Sequence, residues 1–318
     1  MSGTRSQSSD PAPVHQRGSA LIAILWIVAI LSLAVFSATQ FLFIELESEA
    51  NASALFQAEL LADRGVAIAS NPSVKKGDPV LSQSLGKGNA FTARISSEGD
   101  RLNLNSLLEN AEADRIVLEE LFYQWGLRTD QAVDVVDNLI DWTDEDDEPT
   151  NVGAERNFYF AQERHNHPFN RPFDSLNEVL LVKDFQLVVA ANPRWRESFT
   201  LLSAGPLDLN EAPADLIAAA CQCPLEAARD LVSIRDGLDA TPGTIDDLKF
   251  DDARAALDLL GIPEAAADDI ASRVSVDDPS RRIRSVGRMG AISVERSVTV
   301  QYTGDRGTVV SFTTRRIE

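Results

Sequence analysis

The longest apolar segment of the chain lies close to its N-terminus. Ser19–Ile44 is a run of 26 uncharged residues dominated by Leu, Ile, Val and Ala. As a helix this run is about 39 Å long, more than the roughly 30 Å of hydrocarbon in a bilayer. A secretory signal peptide has a shorter apolar region followed by small residues at a cleavage site. The pattern therefore predicts a membrane-spanning helix from Ser19 to Ile44.

The helix is predicted to continue beyond the membrane. Asn71-Pro72 ends the periodic pattern, because proline disfavours helical backbone in the residue before it. We therefore expect one helix over 19–70, with a plain membrane anchor and a juxtamembrane helix as the simple alternative. Apolar residues recur at steps of three and four along one face of its second half: Phe43, Leu46, Ala50, Ala54, Ala58, Leu61, Gly65 and Ile68.

Alternating segments predict strands near both ends of the remaining chain. Residues 71–89 have the composition of a loop, and Phe91–Ile95 alternates as a short strand does. Near the C-terminus, Ser297–Tyr302 and Thr308–Thr314 flank a glycine-containing turn and predict a β-hairpin. The sequence between these strand regions is mostly helical.

This order of elements indicates an α+β fold with an insertion. The expected parts are a long N-terminal helix, a small antiparallel sheet body and a large inserted all-α domain. We assign residues 71–100 and 281–318 to the sheet body and residues 101–280 to the insert.

The insert contains an internal echo. Leu102–Leu107 resembles Leu207–Ala212, and two periodic helical segments follow each copy. Asn105 and Asn210 are predicted to cap the helices that follow them. The arrangement is in the style of helix-hairpin-helix modules, which often bind DNA. The insert is strongly acidic and has no clear Gly-rich hairpin, so we expect no nucleic acid partner.

Charge is distributed unevenly along the chain. The formal net charge is −20. Residues 281–318 carry +5 and residues 45–280 carry −26, so the acidity belongs to the middle of the chain. Arg17 precedes the apolar run, and the acids Glu45, Glu47 and Glu49 follow it. This asymmetry predicts a single-pass membrane protein with a cytoplasmic N-terminus and an exported body.

An acidic loop is the main candidate for chemistry. Asp141–Glu148 contains six acids in eight residues. Crowded carboxylates repel each other unless something offsets their charge. With Asp144 as position 1, Asp146, Glu148 and Glu155 take positions 3, 5 and 12 of the EF-hand spacing for calcium.

The same loop departs from a true EF-hand. Thr150 stands at position 7, where a backbone carbonyl is a ligand, but Pro149 replaces the glycine that the turn requires. Two interpretations stay open, a calcium loop of another geometry and a solvated acidic loop without metal.

Other sites for chemistry are sparse. The chain has two cysteines, Cys221 and Cys223, for which a disulfide and a pair of buried thiols are both open in an exported protein. We find no Gly-rich phosphate loop, no nucleophile elbow and no convincing Ser/His/Asp set. The sequence therefore predicts a protein that is not an enzyme.

The start of the apolar run resembles the class III signal of type IV pilins and type II secretion pseudopilins. Gln16-Arg17-Gly18 is a polar, basic end of a leader, and the apolar helix follows at once. The resemblance implies that residues 1–18 are a leader, which prepilin peptidase cleaves between Gly18 and Ser19 before methylating Ser19. Most members have Glu at the fifth mature position, whereas this chain has Ala23.

The acidic loop extends the resemblance to one family. Asp141-Trp142-x-Asp144-x-Asp146-x-x-Pro149, followed by Gly153-Ala154-Glu155 and Tyr159, is similar to the signature of the K-type minor pseudopilins (general secretion pathway protein K). The resemblance implies a long pilin-type helix, a pilin-like body, an inserted helical domain and structural calcium. Asp144, Asp146 and Glu155 are the first ligand candidates, and Asp141, Asp147 and Glu148 are further candidates.

The family resemblance also implies a place in an assembly. A K-type subunit is expected at the tip of the type II secretion pseudopilus, in a complex with the I- and J-type minor pseudopilins. The large insert and the absent Glu both favour a tip position. Two other functions stay open, a membrane-anchored periplasmic enzyme and a component of a type IV pilus or DNA-uptake machine.

Overall fold

A computed structural model describes residues 16–86, 88–238, 247–304 and 306–317, without the side chains of residues 16–19 and 317. The expected α+β fold class is confirmed. It has a long N-terminal helix, an antiparallel sheet and a group of helices inserted in the chain between two strands of that sheet. The predicted leader over residues 1–18 lies outside the described residues up to residue 15.

The long helix α1 (Gln16–Ala69) ends next to the predicted stop at Asn71-Pro72. The chain divides into two compact units, Met1–Gln57 and Ala58–Glu318, and each is described by itself. In the first unit, every large apolar side chain from Leu21 to Leu46 is exposed. Among the described residues, α1 is the one helix long and apolar enough to cross a membrane.

The last turns of α1 pack on the sheet through small residues. Ala58, Ala62, Gly65 and Ala69 are buried. The sequence pattern placed Leu61 and Ile68 on this face, but both are half-exposed. Helix and sheet approach so closely that the contacting face has room for methyl groups and hydrogen atoms but not for long side chains.

Within the described residues, five strands form the main sheet. All neighbouring pairs are antiparallel, in the order β1-β2-β7-β8-β9. The segment over 71–89 is not only a loop as expected, because it contains a 3-10 turn and the edge strand β1. The strands of this sheet are β1 (Ser82–Gly86), β2 (Asn89–Ser97), β7 (Ser280–Met289), β8 (Ile292–Thr303) and β9 (Arg306–Ile317).

The insert lies in the chain between β2 and β7. It is mostly helical, but two short parallel strand pairs correct the expectation of an all-α domain. The pairs are β3 (Leu102–Asn103) with β4 (Phe199–Thr200), and β5 (Leu207–Asp208) with β6 (Val274–Ser275). The described helices are α2 (Leu104–Glu109), α3 (Ala111–Gln124), α4 (Thr129–Thr143), α5 (Arg156–Ala161), α6 (Gln186–Ala191), α7 (Ala214–Cys221), α8 (Leu225–Arg235), α9 (Ala253–Leu259) and α10 (Glu264–Ala271).

The internal echo is visible in the structure, but its two asparagines are not helix caps. Asn105 accepts a hydrogen bond from the backbone N–H of Phe173 and donates one to its carbonyl oxygen. Asn210 makes the same pair of bonds with Phe250. Asn103 caps α2 instead. In each copy the asparagine therefore binds the backbone of a segment that is distant along the chain.

A buried ionic network joins the insert to the sheet. Glu98, directly after β2, is 1% exposed and accepts hydrogen bonds from Arg101 and Thr200. Arg282 on β7 lies 3.5 Å from the second oxygen of Glu98 and also pairs with Asp100. Removing one partner would leave a buried charge uncompensated. The network therefore holds in place both points at which the chain passes between the sheet and the insert.

Candidate metal centre

The acidic loop begins at the C-terminal end of α4. Trp142 is fully buried there, and its indole N–H donates to Glu178 at 3.0 Å. Asp144 ends the helix, with its N–H bonded to the carbonyl of Ile140 at 3.0 Å. Because Trp142 is anchored in the core, the acids on either side of it are held in defined positions.

Asp141 binds the part of the acidic loop that comes back over α4. It is fully buried, and its Oδ1 accepts hydrogen bonds from the backbone N–H of Thr150 at 3.0 Å and from its hydroxyl at 2.8 Å. A Cβ added to Gly153 would lie 1.8 Å from Asp141 Oδ2. The loop therefore passes so close to this carboxylate that only glycine fits.

Three carboxylates converge at this place. Among the described residues, Asp141, Asp144 and Glu155 each offer an oxygen, and these atoms lie within 4.8 Å of one another. Glu155 is only 4% exposed. Asp141 Oδ2, Asp144 Oδ1 and both carboxylate oxygens of Glu155 are buried and have no hydrogen-bond donor in the described part of the chain.

Burial and mutual repulsion make the ionised forms of these acids unfavourable. Burial, and then the charges of Asp146 and Asp141, raise the pKa of Asp144 to about 6. Burial and neighbouring carboxylates led by Asp141 raise the pKa of Glu155 to about 7. Burial also raises the pKa of Asp141, against the opposing hydrogen bonds from Thr150. A cation among the three oxygens would remove this electrostatic cost.

A further carboxylate, which is fully buried, lies one helical turn before the group. Asp137 is fully buried, and its Oδ1 pairs with Arg115 at 2.7 Å. Its Oδ2 has no hydrogen-bond partner among the described residues. Sequence reasoning missed Asp137 because it lies outside the acidic run. The signal was its spacing of four residues from Asp141, which places both acids on one face of α4.

The exposed ligand candidates of the loop, Asp146, Asp147 and Glu148, do not join this group. Asp146 accepts a hydrogen bond from the N–H of Glu148 within a local turn. Asp147 pairs with Arg156 at 3.3 Å on the surface. The expectation that Asp146 is a first candidate is therefore not supported by the geometry, and Asp141, a further candidate, takes a central place.

The donor set fits a hard cation. All the converging donors are carboxylate oxygens, as calcium prefers, and no His or Cys belongs to the described group. The EF-hand comparison fails as the sequence suggested. Thr150 donates to Asp141, and its carbonyl accepts the N–H of Gly153 at 2.9 Å rather than serving as a free ligand.

The remaining sequence-predicted sites lie away from this group. Gly18 and Ser19 lie in the first turns of α1, and their side chains are outside the described set. Cys221 and Cys223 are free thiols, the first buried and the second half-buried, so of the two possibilities left open by the sequence the structure has the thiol pair. Burial raises the pKa of Cys221 to about 12, which makes it a poor nucleophile.

The fold can now be compared with known proteins. A long apolar helix packs its last turns on an antiparallel sheet, and a helical domain interrupts that sheet in the chain. Residues 100–192 match the family model for type II secretion system (T2SS), protein K. The matched residues include helices α2 to α6 of the insert, so this part of the chain is similar to protein K of type II secretion systems.

A solved structure shares the fold over most of its length. It is a chain in the crystal structure of the GspK–GspI–GspJ complex from the enterotoxigenic Escherichia coli type 2 secretion system. The sequences are 16% identical, the TM-score is 0.58, and the alignment covers 86% of this chain and 95% of that one. No curated protein sequence matches the chain.

Proposed function

We propose that the chain caps the tip of a type II secretion pseudopilus as its K-type minor pseudopilin. The observation that carries this proposal is the insertion of the family-matched helical domain into the sheet of a pilin-type subunit. The buried network around Glu98 and Arg282 fixes the insert rigidly to the sheet. A rigid, bulky insert favours a terminal position over a repeated position in a filament.

The proposed partners are the I- and J-type minor pseudopilins. The similar solved chain belongs to a complex that contains GspK, GspI and GspJ. Phe56 and Leu60 on α1 support helix-mediated assembly, since their side chains are 61% and 52% exposed. Exposed large apolar side chains on an amphipathic helix are typical of a surface that another helix covers.

The apolar part of α1 is proposed to anchor the chain in the inner membrane before assembly, with its N-terminus in the cytoplasm. Prepilin peptidase would cleave after Gly18 and methylate Ser19. Arg17 before the apolar run and the acids after it support this orientation. Ala23 offers no carboxylate to a neighbour's N-terminal amine, which again suits a terminal subunit.

Calcium is proposed as a structural cofactor held by Asp141, Asp144 and Glu155. These residues lie at the end of α4 and directly before α5, so a cation between them would tie the two ends of the acidic loop together. Backbone carbonyls or water would supply further oxygen ligands, since calcium takes six to eight. The role is stabilisation of the insert, and we propose no enzymatic activity.

Site-specific crosslinking tests the proposed assembly. A photo-reactive amino acid at Phe56 or Leu60 should crosslink the full-length chain to the I- or J-type subunit in intact cells. The same group at Tyr123, an equally exposed aromatic of the insert, is the matched control and should give no such product. Equal crosslinking from all three positions, or none from the α1 positions, would contradict assembly through the helix.

Secretion provides the functional readout. A strain lacking this chain should retain its type II substrates in the periplasm, and the intact chain should restore their release. Mass spectrometry of the membrane-extracted protein should find a chain that begins at N-methylated Ser19. Normal secretion by the deletion strain would refute the proposed function, and an uncleaved chain would refute the pilin-type processing.

A further inference from the structure

The main sheet has a face that points away from α1. On β7, Ile283, Ser285 and Gly287 are buried toward the helix, as the contact between Gly287 and the α1 backbone shows. Side chains alternate between the two faces of a strand. Arg284 and Arg288 therefore lie on the opposite face, and both are exposed.

Arginines from two further strands reach the same face. Arg94 on β2 is directly opposite Arg284 in the strand register, and Arg288 is opposite Ala90. Directly opposed residues in an antiparallel pair have Cα atoms about 4.5–5.5 Å apart. Arg315 on β9 lies opposite Glu295 of β8. We call Arg94, Arg284, Arg288 and Arg315 the basic sheet face.

One described acid, Glu295 of β8, lies on this face, opposite Val286 and Arg315, but it pairs with none of the three arginines of β2 and β7. Arg94, Arg284 and Arg288 form no ion pair or hydrogen bond through their side chains within the described part of the chain. By contrast, Arg115 and Arg273 pair with acids in the insert. Like charges directly opposite each other destabilise a strand pair, so the Arg94–Arg284 pairing is unfavourable for the sheet on its own.

The surroundings leave the guanidinium groups accessible. Thr92, Ser293, Ser297 and Thr313 are the short hydroxyl neighbours on this face by strand register. The described outward positions beside the arginines carry no aromatic side chain. The face is therefore flat, basic and polar, and it lies on a chain whose net charge is −20.

We propose that the basic sheet face docks an acidic segment of a partner protein, whose carboxylates pair with Arg94, Arg284 and Arg288. Guanidinium groups bind carboxylates bidentately, and neighbouring hydroxyls can donate to the remaining oxygens. The partner would supply the counter-charge that the opposed arginines lack. This docking surface lies on the sheet, so it goes beyond the proposed assembly through α1.

Other anions fit the face less well. Single-stranded nucleic acids need aromatic side chains for base stacking, which this face does not offer. Membrane binding needs large apolar side chains next to the cations, whereas these arginines have short polar neighbours. A long polyanion would also meet the acidic insert, while a short acidic segment responds mainly to charges within the Debye length of about 8 Å.

Peptide binding to the full-length chain in detergent tests the proposal. The probe is a fluorescent 12-residue peptide of alternating Glu and Thr, followed by anisotropy at low and at physiological salt. We expect binding that weakens with salt and that falls at least about tenfold in the triple variant Arg94→Gln/Arg284→Gln/Arg288→Gln. The variant should melt no lower than the parent, because it removes a like-charge pair.

A charge-matched variant separates the face from the overall charge. Arg128→Gln/Arg229→Gln/Arg254→Gln removes three exposed arginines of the insert, each paired with an acid. It should bind the peptide as the parent does. The proposal fails if the parent does not bind, or if both triple variants weaken equally. It also fails if duplex DNA or phosphatidylglycerol vesicles bind through these arginines and the peptide does not.

Discussion

Gly153→Ala should abolish the response of the protein to calcium. The new Cβ would lie 1.8 Å from Asp141 Oδ2 and 2.6 Å from Thr150 Oγ1. An ordinary contact needs at least 3.4 Å. Either the carboxylate or the loop must therefore move by about 1.6 Å, well beyond the roughly 0.5 Å that a preorganised site tolerates.

The size of the effect follows from linkage between binding and folding. Calcium at 100 times its dissociation constant should stabilise the parent protein by about 2.7 kcal/mol. For a unit of about 250 residues this corresponds to a rise in melting temperature of about 5–10 °C. In Gly153→Ala the rise should vanish, because the carboxylate can no longer face the other two acids at the required distances.

Thermal unfolding of the full-length chain in detergent, with calcium and with a chelator, measures this increment directly. Comparing each variant with itself removes any cost that the substitution has without calcium. Val152→Ala is the matched control in the same loop, since this side chain is 45% exposed and makes none of the carboxylate contacts. A calcium-induced rise in Gly153→Ala equal to that of the control would refute the proposed centre.

Three further predictions concern the same centre and the packing of α1. Asp141→Asn should remove most of the calcium-induced stabilisation, whereas Asp146→Asn should leave it nearly unchanged, as melting temperatures with and without calcium would show. The calcium-free protein should lose stability as the pH rises from about 4 to about 7, because the raised pKa values of Asp144 and Glu155 mean that the folded state binds more protons there than the unfolded state. Gly287→Ala should cost about 1–3 kcal/mol or more in urea unfolding, because its Cβ would lie 2.0 Å from the carbonyl oxygen of Ala58, a backbone atom that cannot rotate away.

Each of these has a control. Asp144→Asn/Glu155→Gln should flatten the pH dependence of the calcium-free protein, and an unchanged slope would mean that other groups cause it. Val286→Ala, one residue before Gly287 and on the other face of β7, should cost less than Gly287→Ala. Similar losses in the two variants would show that close helix packing is not the reason.

Much of the carboxylate cluster was predictable because its acids are close together in the sequence. Asp144 and Glu155 follow the calcium-type spacing, and Gly153 was already part of the family pattern. Asp146, a first candidate from the EF-hand spacing, lies outside the cluster, because that spacing assumes a loop that turns around an ion. Here Asp146 closes a turn of its own with Glu148 and stays exposed.

The burial of Asp137 and Asp141 could be seen only in the three-dimensional structure. Their spacing places both acids on one face of α4, but the sequence does not show what covers that face. They are buried because the loop returns over α4 at Thr150 and Gly153, and because Arg115 from α3 pairs with Asp137. The hydrogen bonds of Asn105 and Asn210 could not be predicted from the sequence for the same reason, since their partners lie 68 and 40 residues away.

The sequence by itself determined the long apolar helix, the C-terminal hairpin, the mostly helical middle and the acidic loop, because these depend on neighbours along the chain. The tertiary structure alone decided which carboxylates meet, which arginines remain without partners, and how closely α1 approaches the sheet. Those outcomes depend on contacts between distant segments. Gly287 is required only because β7 packs directly against α1, and Arg94 faces Arg284 only because β7 pairs with β2.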